Sequence, residues 1–136
     1  VVTPSLPVMV ELLSHPGVQV HGLGGDLHPV TQSFAGPATV AAIGELRVER
    51  LFLAANGIRG TGVYCGNGFD AVVKRALIDI ADEVVLLADS SKFQTTAMVR
   101  ICPLETIQRV VVDSAITPEQ QRTLAAAGAE LQVVSA

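Results

Sequence analysis

The chain has 136 residues, of which 49% are hydrophobic and 16% charged, and its formal net charge is −4. This length predicts one domain with a substantial core, and the apolar composition favours a buried sheet over a disordered segment. No apolar run approaches the roughly 20 residues of a membrane span, and no secretory signal is visible. The nine basic residues are scattered, which argues against direct nucleic-acid binding by this chain.

The first third of the chain predicts two strands and two helices. Ser5 can cap the first helix, and the early Pro7 is tolerated in its first turn. The predicted elements are a strand at the opening "VVT", a helix over Leu6 to Leu13, a strand over Val18 to Leu23, a polar loop from Asp26 to Gly36 and a helix that starts at Pro37.

The rest of the chain alternates strand and helix signals more clearly. The stretch from Asn56 to Gly68 holds five glycines, which predicts no regular element. Thr117 and Gln120 have the spacing of a capping box, and Gly128 can close that helix. The predicted elements are strands over Arg50 to Ala55, Val84 to Ala88, Arg109 to Asp113 and "AELQVV" at the end, with a helix that begins at Asp70 and another that begins at Pro118.

Six strands with helices between most of them predict an α/β fold, a doubly wound and mostly parallel sheet with helices on both faces. Right-handed crossovers place the carboxyl ends of such strands on one edge, where ligands bind. We therefore expect the strand-end loops "GLGGD", "ANGIRGTG" and "ADSSK" to face one crevice.

The run "VVLLADSSKF" ends a buried strand in an acid, two hydroxyls and a lysine. Lysine and hydroxyls suit a phosphate, and the Asp89 carboxylate can accept hydrogen bonds from sugar hydroxyls. The alternative is that Ser90 and Ser91 form a simple turn and that Lys92 is solvated.

Other motifs are weaker. The stretch "GLGGDL" resembles a dinucleotide fingerprint but lacks its third glycine, so its glycines are as well explained by a tight turn. Lys74 and Arg75 read as a solvated helix face. The three histidines and two cysteines have no metal-ligand spacing, and the cysteines predict ordinary reduced thiols. No catalytic arrangement, metal site or cofactor site is predicted.

Five stretches together carry a family resemblance: "VVTPSLPVMVELL", "VHGLGGDLHPVTQSFAGPAT", "RLFLAANGI", "VVKRALIDIADEVVLLADSSKF" and "IQRVVVD". They resemble the carboxyl-terminal sensor domain of DeoR-type bacterial transcriptional repressors. The resemblance implies the fold of ribose-5-phosphate isomerase and CoA transferases. It also implies that a phosphorylated sugar or polyol phosphate is sensed, which relieves DNA binding by an amino-terminal winged helix-turn-helix domain.

The resemblance also implies a set of ligand-binding residues. These residues lie in the loop after the second predicted strand, in the loop after the third, on the "VKR" helix and in the polar cluster "DSSK". They are Gly24, Gly25, Asp26, Ser33, Asn56, Gly57, Lys74, Asp89, Ser90, Ser91 and Lys92. The resemblance adds Gly36, further along the loop that holds Ser33.

Two departures from the family pattern shape the expectations. The sequence is expected to lack both the winged helix-turn-helix domain and the first strand–helix unit with its phosphate loop, so residues 1–136 are an incomplete effector-sensing domain. Asp70 stands where a glutamate is common, which argues against isomerase chemistry. We expect a cytoplasmic, non-enzymatic homo-oligomer without membrane contact. The alternatives are a phosphosugar isomerase-like enzyme and a nucleotide-binding domain.

Overall fold

The structure, a computed structural model, describes residues 1–135 and divides into two compact units, residues 1–46 and residues 47–135. Val2–Thr3 (β1) pairs in parallel with His21–Gly22 (β2), and Asp26–His28 (β3) pairs antiparallel with Ser33–Ala35 (β4). Leu23, Thr39 and Ile43 are fully buried. The elements of the first unit are β1 (Val2–Thr3), α1 (Leu6–Leu12), β2 (His21–Gly22), β3 (Asp26–His28), β4 (Ser33–Ala35) and α2 (Pro37–Gly44).

The first unit differs from the prediction at two places. β2 covers only two residues of the predicted second strand, because the Val18 N–H closes a turn on the His15 carbonyl at 2.9 Å. The stretch predicted as a polar loop contains the β3–β4 hairpin, whose turn holds Gln32 at a φ of 51°. α1 occupies the predicted helix, although the Ser5 side chain makes no capping hydrogen bond.

The second unit is built on a four-stranded parallel sheet with the strand order Glu130–Val134 (β11), Arg109–Asp113 (β10), Ala81–Leu87 (β8) and Val48–Ala54 (β5). Each of these strands contains a short apolar run, and side chains such as Leu53, Leu86 and Val110 are buried in the core. The elements are β5 (Val48–Ala54), β6 (Gly57–Arg59), β7 (Gly62–Cys65), α3 (Gly68–Asp79), β8 (Ala81–Leu87), β9 (Val99–Pro103), β10 (Arg109–Asp113), α4 (Pro118–Ala126), β11 (Glu130–Val134) and the 3-10 turns Ser90–Phe93 and Leu104–Thr106.

The predicted α/β class and the parallel sheet are confirmed. The four strands predicted in this part of the chain are β5, β8, β10 and β11. α3 starts two residues before the predicted Asp70, because the Asn67 side chain caps it by accepting the Asp70 N–H at 2.8 Å. α4 has the predicted capping box between Thr117 and Gln120, and Gly128 follows it at a positive φ of 83°.

The glycine-rich stretch after β5 is regular, contrary to the prediction. β6 and β7 form an antiparallel hairpin, and β7 also pairs with β9, a strand that the sequence analysis did not predict. Gly60 allows the positive φ of 56° at the hairpin turn. The buried Ile58, Val63 and Cys65 give this small sheet its place in the core.

Candidate functional site

An open cavity of about 440 Å³ lies at the carboxyl edge of the parallel sheet. Each of the four strands contributes an apolar side chain to it: Ala54, Leu87, Val111 and Val134. The charged side chains of Asp89, Lys92 and Asp113 complete the lining. The cavity thus combines an apolar floor with two negative charges and one positive charge.

Asp89 caps the 3-10 turn Ser90–Phe93, which follows β8 after Ala88. One carboxylate oxygen, Oδ1, accepts the Ser91 N–H at 3.0 Å and also the Ser91 hydroxyl. The other, Oδ2, lies 3.3 Å from the Lys92 ammonium nitrogen. Ser90 and Ser91 therefore form a turn, as the alternative interpretation of the two serines predicted. Lys92, which the same interpretation left solvated, lines the cavity.

Asp113 is the residue that the sequence analysis missed. It ends β10, and its Oδ2 accepts the Ser90 N–H at 2.6 Å while its Oδ1 accepts the Ala115 N–H at 2.8 Å. An acid at the carboxyl end of a buried strand was the signal, and a similar signal, an acid shortly after β8, identified Asp89.

Both carboxylates are stabilised in their ionised form. The hydrogen bond from the Ser91 hydroxyl, with a smaller contribution from Lys92, holds the pKa of Asp89 below its ordinary value. The main-chain N–H groups of Ser90 and Ala115 hold the pKa of Asp113 below its ordinary value. Both side chains are consequently negative at neutral pH.

Asn56 and Gly57 hold the β6–β7 hairpin in place. The Asn56 side chain accepts the Gly66 N–H at 3.2 Å. A Cβ atom at Gly57 would lie 2.6 Å from the Thr95 carbonyl oxygen, so glycine lets β6 approach the segment after the 3-10 turn. Neither residue is among those that line the cavity in the described part of the chain.

The two cations of the "VKR" helix differ in their contacts. The Lys74 ammonium nitrogen lies 3.5 Å from the Asp70 carboxylate, one helical turn away, and Lys74 is also outside the cavity lining of residues 1–135. Arg75 donates to the main-chain carbonyls of Ile101, at 3.2 Å, and Arg100. Arg75 is exposed, as expected of a solvated helix face, and its guanidinium also fastens α3 to β9.

Four predicted site residues, and the neighbouring Gly36, lie in the first unit. The Gly24 carbonyl accepts the Thr39 hydroxyl at 2.7 Å. Gly25 has a φ of 142°, and a Cβ atom there would collide with the Thr39 Oγ1. The Asp26 Oδ2 lies 2.5 Å from the position of a Cβ atom at Gly36, the residue before α2. These contacts place Gly24, Gly25 and Asp26 around the start of α2.

Ser33, the fourth of these residues, is the first residue of β4. Its hydroxyl donates to the Thr31 carbonyl at 3.4 Å, and its main chain pairs with His28 across the hairpin. These contacts serve the hairpin itself.

Neither a candidate metal site nor a helix that could span a membrane is found among residues 1–135. No three His, Cys, Asp or Glu side chains in that range are grouped to hold a metal ion. None of the helices in the same range combines the length and the apolar character needed to cross a membrane. Cys65 and Cys102 are free and buried, and burial raises the pKa of the Cys102 thiol.

The family model of the DeoR C-terminal sensor domain matches residues 1–114. The chain belongs to this family. The match includes β1 through β10, the Ser90–Phe93 turn and Asp113. The family resemblance described from the sequence is thereby confirmed.

Curated relatives of this DeoR sensor domain are transcription regulators by name. The uncharacterized HTH-type transcriptional regulator YulB of Bacillus subtilis is 30% identical over 125 residues, which cover 91% of this chain and 48% of the relative. The putative aga operon transcriptional repressor of Escherichia coli O157:H7 is 29% identical over 133 residues, 97% of this chain and 49% of the relative. The lactose phosphotransferase system repressor of Streptococcus mutans is 29% identical over 116 residues, 83% and 46% respectively. The chain spans about half the length of these relatives.

Proposed function

We propose that this sensor domain binds a phosphorylated sugar or polyol phosphate at the carboxyl edge of its parallel sheet. The observation that carries the proposal is the Asp89–Lys92 pair at the edge of a cavity whose floor is apolar. An ammonium group suits a phosphate, and a carboxylate accepts hydrogen bonds from hydroxyls. The cavity volume of about 440 Å³ falls in the range of small-ligand sites, roughly 300–1,000 Å³.

In the proposed complex each charged residue recognises a different part of the ligand. The Lys92 ammonium group turns from Asp89 to a phosphate oxygen, which leaves the Asp89 Oδ2 free to accept a sugar hydroxyl. Ala54 and Leu87 pack against the C–H groups of the sugar. The family resemblance implies further ligand contacts, which stay predictions for each unit taken separately: Gly24, Gly25, Asp26 and Ser33 in the first unit, and Asn56, Gly57, Lys74, Ser90 and Ser91 in the second.

The names of the relatives support a carbohydrate phosphate as ligand class. The Streptococcus mutans relative is named for a lactose phosphotransferase system, and its name joins a sugar with phosphoryl transfer. The Escherichia coli relative is named as repressor of an operon. A sensor for the phosphorylated form of a sugar fits such a regulator.

The proposed role is binding rather than catalysis. A sugar-phosphate isomerase moves a proton between adjacent carbons and needs an acid or base whose pKa is tuned towards the working pH. The two carboxylates that line the cavity, Asp89 and Asp113, have lowered pKa values instead. Measurable interconversion of aldose and ketose phosphates would contradict a purely regulatory role.

We further propose that this chain acts in the cytoplasm as part of a longer, oligomeric repressor. In that repressor a preceding winged helix-turn-helix domain binds DNA, and a strand–helix unit completes the sensor domain. Two features of the second unit support a completing element: β5 is the edge strand of the parallel sheet, and Phe52 on that strand is 63% exposed.

Isothermal titration calorimetry tests the proposed ligand class. This chain and a longer repressor that contains it are titrated with hexose and pentose phosphates, with the parent sugars and with inorganic phosphate. At least one sugar phosphate is expected to bind tenfold or more tightly than its parent sugar, because the phosphate adds a charge-assisted contact. Equal affinity for sugar and sugar phosphate across the whole panel would overturn the proposal.

A further inference from the structure

Asp113 ties together the two loops at the carboxyl edge of the sheet. Its two carboxylate oxygens bind two different main-chain donors, Ser90 N–H at 2.6 Å and Ala115 N–H at 2.8 Å. Ser90 begins the 3-10 turn that carries Lys92. We propose that Asp113 is the positioning residue of the effector site, which holds the Ser90–Phe93 turn so that Lys92 faces the cavity. This inference rests on the proposed function and adds a residue to it.

The hydrogen bonds of the turn explain why positioning matters. The Ser90 N–H is bonded to Asp113 and the Ser91 N–H to Asp89. Two main-chain donors of the turn that could otherwise hold a phosphate are thus already used. A ligand anion at this edge therefore depends on the Lys92 ammonium group, and the direction of Lys92 depends on how the turn begins.

A carboxylate is the side chain that this arrangement requires. Two N–H groups converge on Asp113 from different loops, and each needs an acceptor. An asparagine has one acceptor oxygen and one NH2 donor, so it would leave one of the two N–H groups without a partner. The turn would then lose the bond that fixes its first residue.

Charge and positioning predict opposite outcomes for Asp113→Asn. Removal of a negative charge from the cavity, taken alone, makes phosphate binding tighter. Loss of the fixed turn makes it weaker, because Lys92 must then be ordered on binding. The sign of the change in affinity therefore distinguishes a positioning residue from a merely charged one.

Ser90→Pro removes the same hydrogen bond from the donor side without a change of charge. Proline is tolerated at the first position of a helical turn. The preceding Asp89 is extended, with φ −86° and ψ 159°, as a residue before proline must be. Ser90→Ala is the comparison for the hydrogen bond alone, since it removes the hydroxyl but keeps the N–H that Asp113 accepts. Asp82→Asn is the charge control, because Asp82 pairs with Arg47 near the start of β8.

The experiment titrates inorganic phosphate into this chain and its variants, followed by NMR, together with amide hydrogen exchange of Ser90. We expect the phosphate dissociation constant to rise about threefold or more in Asp113→Asn and in Ser90→Pro, and little further in the double variant, because both remove one interaction. Ser90 exchange in Asp113→Asn should accelerate about tenfold or more. Asp82→Asn should behave like the unmodified chain, and Ser90→Ala should keep the slow amide exchange of residue 90 because the N–H remains.

Two results would overturn the inference: tighter phosphate binding by Asp113→Asn, or unchanged Ser90 exchange in that variant. Wild-type affinity in a folded Ser90→Pro variant would overturn it as well. A failure of the proposed function looks different, because the unmodified chain would then bind neither inorganic phosphate nor any sugar phosphate. Ser90 exchange would still report whether Asp113 holds the turn.

Discussion

The Lys92 ammonium nitrogen lies 3.3 Å from the carboxylate of Asp89, three residues earlier on the same turn. The pair partly neutralises Lys92, so a ligand phosphate competes with Asp89 for the same ammonium group. When it does, Asp89 becomes available to a hydroxyl of the ligand. Affinity for the phosphate and selectivity for the sugar are therefore coupled through these two residues.

Lys92→Ala should weaken sugar-phosphate binding by roughly ten- to a hundredfold. A charge-assisted hydrogen bond contributes about 1.5–3 kcal/mol, and each 1.4 kcal/mol is about tenfold in affinity. Calorimetry measures the loss, and thermal unfolding should show an unchanged melting temperature, because Lys92 lies in a polar turn. Arg122→Ala, which removes one positive charge from the exposed side of α4, is the control. Unaltered affinity in Lys92→Ala would return this residue to the role of a solvated lysine.

Asp89→Asn should bind inorganic phosphate more tightly, by roughly threefold or more, because the competing negative charge next to Lys92 is gone. Asparagine is a good cap, so the turn should persist. The gain for a sugar phosphate should be smaller, since asparagine is a weaker acceptor for the sugar hydroxyl. Competition titrations of the two ligands measure the difference. Weaker binding of inorganic phosphate by a folded variant would contradict the competition between ligand and Asp89.

The parallel sheet was predictable because its signals are local. β8 contains the apolar run 84–87 and β10 the run 110–112, and such runs are typical of strands buried on both faces. α4 carries its capping box within four residues of sequence. Because parallel strands end at one edge of a sheet, the sequence also predicts that the polar residues at the ends of these strands lie at that edge.

The antiparallel sheet and the role of Asp113 were not predictable in this way. β9 lies more than thirty residues in sequence from its partner β7. Gly57, the first residue of β6, allows a close approach to the Thr95 carbonyl rather than flexibility. The Asp113 side chain acts on Ser90, which is 23 residues away in sequence. Contacts of this kind arise from tertiary packing, which overrides local propensity.

Acid should destabilise the turn in a defined pH window. The pKa values of Asp89 and Asp113 are held below their ordinary value of 3.8 by hydrogen bonds to the ionised forms. A carboxylate whose pKa is lower in the folded state stabilises the protein above its unfolded pKa, and this contribution is lost as the pH falls through the folded value. The melting temperature should therefore be insensitive to these groups above about pH 5 and fall below about pH 4.

The variant Asp89→Asn/Asp113→Asn tests this window. Its melting temperature should be lower than that of the unmodified chain at neutral pH, and the two curves should converge in acid. Glu83, whose pKa is lowered by its hydrogen bond from Arg50, is retained in both proteins and contributes equally. Parallel melting curves across the whole pH range would show that neither carboxylate is coupled to folding.

Gly25→Ala should destabilise the first unit. The φ of 142° at this position is one that side chains other than glycine rarely adopt, and the added methyl group would collide with the buried Thr39 hydroxyl. Thr39 would have to move from its hydrogen bond to the Gly24 carbonyl. Thermal unfolding of the whole chain, and the NMR signals of residues 1–46 within it, measure the effect. Gly17→Ala, where no atom lies near the added Cβ, is the matched control, and equal stability of the two variants would contradict the packing argument.

One face of the parallel sheet exposes apolar side chains near the carboxyl edge, some of which line the cavity, and carries the ion-paired Arg50 and Glu83 further from that edge. The register of β5 with β8, and of β8 with β10 and β11, places Phe52, Leu87 and Val134 on the same face. Their exposed fractions are 63%, 44% and 37%. Exposed apolar surface of this kind favours association, and identical chains associate most simply as symmetric oligomers.

Phe52→Ser should weaken self-association of this chain, because Phe52 is the largest exposed side chain on that face. Sedimentation velocity at low and high protein concentration should show oligomers of the unmodified chain and a dissociation constant at least about tenfold higher for the variant, since a buried aromatic anchor contributes more than about 1.4 kcal/mol. Val72→Ser, on the exposed side of α3, removes apolar surface elsewhere and should leave association unchanged. A strictly monomeric unmodified chain at high concentration would contradict the proposed oligomer, and equal effects of both variants would show that this face is not the one that associates.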